Sequence, residues 1–432
     1  MTSQTRLMQP PANEEQMSAP LRVAFFNYSD QASGAEAVID QTIRSLIPRG
    51  VDVRLYVMDR FTDRPYVHSF PRFFAERRME YIFRRTTGLN NVLFPSTLFL
   101  NRRPWIRDAD VWHFHNLHGH FASIPVLAKL SWKQPIVLSP VDQFLATGYC
   151  TYSLGCDRFR NACGECPQLD LPYPGLSRDT TSRLLKMKKS AVASSNFHLL
   201  VHTKYLADFY ASTFVGQRPI EQIYYGIDTQ VFRPMDHEVQ RDLGLAPIDG
   251  LTLGLVHSDI TERRKGIIPL ISSLQSLADR MPNRLRLLVI GHASERALQF
   301  ATQNLQVATL PFLPDSESLA KALNACDVLL YPTMADNLSL TCLNAIACGV
   351  PVISSRVGGQ PEAIRDNVNG FLCEPDRQEQ FVERVAQLAQ DDELRKRLST
   401  EARKIAMEEF DNEIYTTRLI AYYNRVRGTA ER

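Results

Sequence analysis

The stretch PTMADNLSLTCLNAIACGVPVISSRVGGQPEAI, residues 332–364, decides how this chain is read. It follows the apolar run DVLLYP from Asp327, which has the length and aliphatic content of a buried strand. Helical periodicity begins near Ser339. A strand, a loop carrying Asp336 and a helix start set the free amides of a first helical turn beside a carboxylate. Such amides bind phosphate oxygens and the acid accepts from sugar hydroxyls, the two demands of a nucleotide sugar. The same pattern also suits a plain helix capped by Asp or Asn, so the surrounding chain has to choose.

Outward from this segment, short buried-type runs alternate with helical stretches. LRVAFFN from Leu21, VDVRLYV from Val51, DVWHFH from Asp110, PIVLSP from Pro135 and FHLLVHT from Phe197 form one series. LTLGLVH from Leu251, LRLLVIG from Leu285, LQVATLPF from Leu305, DVLLYP and PVISS from Pro351 form a second. Strands alternating with helices imply parallel sheets covered on both faces, hence an α/β protein of two doubly wound, Rossmann-like halves. YYGIDTQVFRP, residues 224–234, has the turn chemistry of a linker between a first domain at 21–223 and a second at 235–410. Ligands of such sheets bind beyond the carboxyl ends of the strands, so facing halves place the site in the cleft between them.

Composition is that of an ordinary globular protein: 432 residues, 44% apolar and 22% charged, more than one hydrophobic core accommodates. The net charge of +2 provides no global attraction to nucleic acid, and no recognition element for it is present. Residues 1–20 read as a flexible tail without the apolar core of a secretion signal. No run has the apolar length of a membrane span, so the expectation is a cytoplasmic protein, soluble or peripheral at the inner face of the membrane.

Several ordered motifs carry a family resemblance. Asp336, Asn344 eight residues on, AIACGVPV from Ala345, GGQPE from Gly358 and NGFLCEPD from Asn369 resemble the carboxyl-terminal motif of the retaining glycosyltransferases of family four, which have the GT-B fold. DQASGAEAV from Asp30, DVWHFHNLHGHF from Asp110, YYGIDTQVFRP and SDITERRKGIIPL from Ser258 resemble further motifs of that family in matching order. TGYCTYSLGCDRFRNACGECPQLDLPYP, residues 147–174, resembles a Cys-rich insertion of the subgroup that builds bacterial exopolysaccharides, colanic-acid-type enzymes included.

The resemblance implies transfer of a sugar from a UDP- or GDP-type donor to a glycan or lipid-linked acceptor, with retention and no catalytic metal. It implies that residues 411–432 form a helix crossing back to the first domain. Lys265, with Arg263 or Arg264, would compensate the diphosphate. The amides of Leu338, Ser339 and Leu340, next to Asn337, would support it, and Gly34 would let the first loop approach. Asp336 would hold donor hydroxyls.

Two departures stand out. The family's second acid, which binds ribose, is Asn344 here, an uncharged and weaker acceptor. In IVLSPVDQFLATG from Ile136, Val141 stands where the subgroup has a His, and Asp142 is kept. An aliphatic side chain exchanges no proton. Of His113, His115, His118 and His120, His118 lies beyond the strand end and is the candidate for the vacant place, while His113 and His115 read as packed strand residues. The rival to a transferase is therefore a catalytically weakened binding or partner subunit; a phosphorylase or synthase of similar fold is a third reading.

Cys150, Cys156, Cys163 and Cys166 offer four soft ligands in one loop, suited to a structural zinc; reduced thiols or paired disulfides are the alternatives. Residues 71–107 interleave Arg with Phe, Tyr, Leu and Trp, which suits either a membrane surface or a helical pair with its aromatics inside.

Overall fold

The computed structural model describes residues 20–31, 34–169, 178–236, 238–257, 262–292 and 294–429. The amino-terminal tail, Ser33, the first half of the SDITERRKG motif and the end of the Cys-rich insertion lie outside the described residues.

Two parallel sheets form, as the alternation predicts. The first holds β1 (Arg22–Ser29), β2 (Asp52–Asp59), β3 (Val67–Ser69), β4 (Val111–His115), β5 (Ile136–Ser139), β6 (Phe197–Val201) and β7 (Ile220–Gln222) in the order β3-β2-β1-β4-β5-β6-β7. The second holds β8 (Leu251–Val256), β9 (Leu285–Ile290), β10 (Leu305–Leu310), β11 (Val328–Tyr331), β12 (Val352–Ser355) and β13 (Gly370–Cys373) in the order β10-β9-β8-β11-β12-β13. The strands β3, β7 and β13 were not predicted. They are edge strands of three or four residues, too short for an apolar period to show.

Central strands are buried on both faces, which is why β4, β5 and β9 lack polar alternation. One core lies under Phe26, Trp112 and Phe114 of the first sheet, another under Leu253, Leu287 and Ile353 of the second.

The helix Asn412–Val426 lies on the first sheet. Tyr415, Leu419, Tyr422 and Tyr423 pack with Val23, Phe25 and Ile43, and Tyr423 Oη is 2.6 Å from His113 Nδ1. Each fully buried side chain of this kind contributes on the order of 1.5–3 kcal/mol. Its start is tied to the linker: Ile227 N donates to Phe410 O at 2.7 Å and Asn412 N to Ile227 O at 3.0 Å. Arg403 in the preceding helix donates to the carbonyls of Thr229, Phe232 and Ala347, so one guanidinium staples the linker to the second domain.

Candidate active site

In each sheet the strand order reverses once, between β1 and β4 and between β8 and β11. Crossovers leave such a pair toward opposite faces, opening a crevice at the carboxyl ends of the strands. The loop after β8 carries Lys265 and the loop after β11 carries Asp336. Between them a small recess is lined by His257, Lys265, Tyr331 and Thr333, among others.

Lys265 Nζ donates to Asp336 Oδ2 at 2.7 Å and to Tyr331 Oη at 3.2 Å. Tyr331 donates to the same Oδ2 at 2.6 Å, and Arg264 lies 3.6 Å from it. Burial opposes ionisation of Asp336, but Lys265 and Arg264 outweigh it and hold the carboxyl well below its usual range. Arg264 also donates to Ala335 O at 2.6 Å and pairs with Glu262 at 2.7 Å. Arg263 is exposed and makes no ion pair among the described residues, so of the two arginines only Arg264 joins the cluster.

Two glycines let these loops approach. A Cβ on Gly266, at φ +63°, would stand 2.2 Å from Pro332 O, and one on Gly358, at φ +56°, 1.8 Å from Asp336 O. Gly34, at φ +53°, caps the helix Ala35–Leu46 and has open space around it. Ser339 caps the helix Leu340–Ala347 by accepting from Cys342 N, and Leu338 is buried just before it. Asn337 is committed elsewhere: its Oδ1 accepts from Thr203 Oγ1 of the first domain at 2.6 Å. Asn344 is buried on the helix, and its Oδ1 has no hydrogen-bond partner among the described residues.

On the first-domain side His118 Nδ1 meets Asp142 Oδ2 at 2.7 Å. Burial lowers the pKa of this imidazole, but Asp142 and Glu36 outweigh burial and raise it above 6.5. His118 thus stands beside Asp142 at the exit of β4 and β5, whereas Val141 packs against the second domain's core. His113 is buried between Phe25 and Tyr423, His115 is buried against Phe25 and His113, and burial pushes both pKa values far down.

Sequence reasoning missed Tyr152, Tyr331 and Thr203, and the partner of Glu362. Tyr152, between Cys150 and Cys156, donates to Asp336 Oδ1 at 3.2 Å, and the Arg264 guanidinium sits 5.2 Å from its ring centre. Tyr331 ends β11. Thr203 binds Asn337, and Glu362 accepts from the amides of Lys204 and Tyr205 at 2.7 Å, capping a first-domain helix from the second domain. GGQPE marked Glu362 within a motif; nothing local marked its partner.

The four cysteines share one loop and are half-buried. Among the described residues no three ligating side chains converge on one point, so the spacing that suggested zinc is not yet a coordination shell. Burial first, then the other thiols of the loop, raise the pKa of Cys150 to about 11. Lys188 is fully buried beneath the loop. It donates to the carbonyls of Phe144 at 2.6 Å and Thr147 at 3.1 Å and forms no carboxylate ion pair among the described residues.

Residues 255–405 match the family model described as "Glycosyl transferases group 1". A D-inositol 3-phosphate glycosyltransferase of Actinosynnema mirum is 25% identical over 391 residues, 86% of this chain and 87% of that protein. Among solved structures, the sucrose-phosphate synthase of Thermosynechococcus elongatus superposes with a TM-score of 0.67 at 16% identity, covering 95% of this chain and 100% of that one. The Anabaena protein Alr3699/HepE, solved in complex with UDP-glucose, gives a TM-score of 0.68 at 15% identity, covering 94% and 100%. Residues 255–405 therefore resemble the group 1 glycosyl transferases, and the chain as a whole has the two-sheet GT-B fold of these structures.

Proposed function

We propose that this protein takes a sugar from a UDP- or GDP-linked donor and passes it, with retention, to a glycan or lipid-linked acceptor in polysaccharide assembly at the cytoplasmic face of the membrane. The observation that carries this reading is the Lys265–Asp336–Arg264 cluster at the ends of β8 and β11. Two fixed cations beside a recess suit the charge that develops on a leaving diphosphate, usually the largest catalytic contribution in such a reaction. The carboxylate is kept ionised and can accept from donor hydroxyls. The leaving diphosphate itself assists removal of the acceptor proton, so no metal is required. A structural neighbour bound to UDP-glucose supports the class of donor.

A second reading, a partner subunit with weakened catalysis, is favoured by the neutral Asn344, whose Oδ1 has no partner among the described residues, and by Val141. A panel of nucleotide sugars separates the two. Turnover of one donor, by hydrolysis or transfer, is expected for the wild type. Tight nucleotide binding without turnover, with activity appearing in an Asn344→Glu, Val141→His variant, would establish the partner reading.

We also propose that Cys150, Cys156, Cys163 and Cys166 hold a structural zinc. Four thiolates on one divalent ion carry excess negative charge, and buried Lys188 beneath the loop forms no carboxylate ion pair among the described residues and would be held protonated by that charge.

A further inference from the structure

We propose that the segment 71–103 is a docking surface for an anionic phospholipid bilayer. Phe74, Arg78, Tyr81, Ile82 and Arg85 recur at helical spacing along and just before the helix Glu76–Thr87, and all five are exposed. They form one stripe about 100° wide on a 3.6-residue period. The opposite face is the one the protein uses: Glu76 is buried and accepts from Ser96 N at 2.7 Å, and Glu80 pairs with Arg84. Both acids of the helix are thereby removed from the outward face.

Charge names the occupant. Residues 71–107 hold eight arginines and two glutamates, whereas the whole chain holds 49 basic and 47 acidic residues, so the remainder is net acidic. Arg77, Arg84 and Arg107 pair with Asp59, Glu80 and Asp108, so the surplus cation beside the apolar stripe is carried by the other arginines of the segment, exposed Arg72 and Arg78 among them. Phe73, Leu98 and Arg102 extend it, all exposed, with Phe73 edge-on to Phe99 at 5.4 Å and Arg102 over the same ring at 4.3 Å. Aromatic and aliphatic side chains beside arginines match the boundary between acyl chains and anionic headgroups.

The surface adjoins the cleft. Arg77 donates from one guanidinium nitrogen to both carboxylate oxygens of Asp59, at the end of β2, at 2.7 Å each. Asn91 donates to Leu117 O at 2.7 Å, and its Oδ1 lies 2.8 Å from His120 Nδ1, on either side of His118. A membrane on this face would lie against the side of the site where an acceptor enters. The proposal rests on the transferase reading only for that last step; lipid binding itself involves neither donor nor acceptor.

The test is flotation of the full chain with vesicles of phosphatidylcholine alone and of equal parts phosphatidylcholine and phosphatidylglycerol, without nucleotide. Binding to the anionic vesicles only, weakened by ~10-fold or more in both Arg72→Glu/Arg78→Glu and Phe74→Ser/Ile82→Ser, is the expected result. Circular dichroism and melting temperature check that each variant is folded, and a misfolding double variant is replaced by Arg78→Glu alone. Absence of binding to either vesicle overturns the proposal, as does wild-type binding by folded variants. A wild-type dimer that Phe74→Ser/Ile82→Ser dissociates also overturns it, by assigning the face to a second copy of the chain. Absence of sugar transfer by the wild type, with its vesicle binding intact, would instead count against the transferase reading alone.

Discussion

Tyr152, on the cysteine-bearing loop of the first domain, donates its hydroxyl hydrogen to Asp336 Oδ1 of the second domain at 3.2 Å. A donor hydroxyl that reaches this oxygen has to displace it. A net hydrogen bond is worth about 1 kcal/mol, so Tyr152→Phe is expected to tighten donor binding by about 5-fold while keeping the ring beneath Arg264. Calorimetric titration with the accepted nucleotide sugar measures this. Unchanged or weaker binding shows that the bond orients Asp336 instead of competing for it.

Lys265 and Asp336 have side chains only 11% and 17% exposed, and removing Lys265 leaves the carboxylate with Arg264, at 3.6 Å, as its remaining counter-charge. Lys265→Ala should lower kcat by about 100-fold or more, as loss of a cation at developing charge does, and should cost about 3 kcal/mol of stability. The double variant Lys265→Met, Asp336→Leu should recover stability in urea unfolding without recovering turnover. Recovery of both would remove the pair from the chemistry.

The His118–Asp142 pair predicts a definite pH dependence. The folded imidazole has a pKa above 6.5, so its contribution to stability is complete below 6.5 and is lost as the pH rises through the higher folded value. The gap in unfolding free energy between wild type and His118→Asn should therefore be larger at about pH 5.5 than at about pH 9. An equal gap at both values contradicts the pairing.

For the Cys-rich loop, metal analysis of protein purified under reducing conditions should find about one zinc per chain, which Cys163→Ser/Cys166→Ser abolishes. Chelation should expose four titratable thiols and speed proteolysis within 147–169, since a loop with one short helical turn has little core to hold it. Four reactive thiols in untreated, metal-free protein would leave the thiols reduced and unligated.

The architecture was legible because its causes are local. Apolar runs of strand length, glycine turns and capping residues determined two parallel sheets and set Lys265 and Asp336 just beyond strand ends, where sheet order then makes a crevice. The edge strands β3, β7 and β13 escaped because three or four residues carry no period.

Tertiary structure decided which neighbours in sequence become partners in space. Arg263 and Arg264 are equivalent as letters, yet only Arg264 turns toward Asp336. Asn337 neighbours Asp336 in the sequence, yet its side-chain oxygen is taken by Thr203 from 134 residues away. Tyr152 carried no signal, because its partner lies 184 residues on in the other domain. Side-chain direction and the meeting of two domains depend on packing over the whole chain. The sequence by itself therefore determined the two halves and the loops beyond their strand ends, and the closed cleft alone determined which side chains touch.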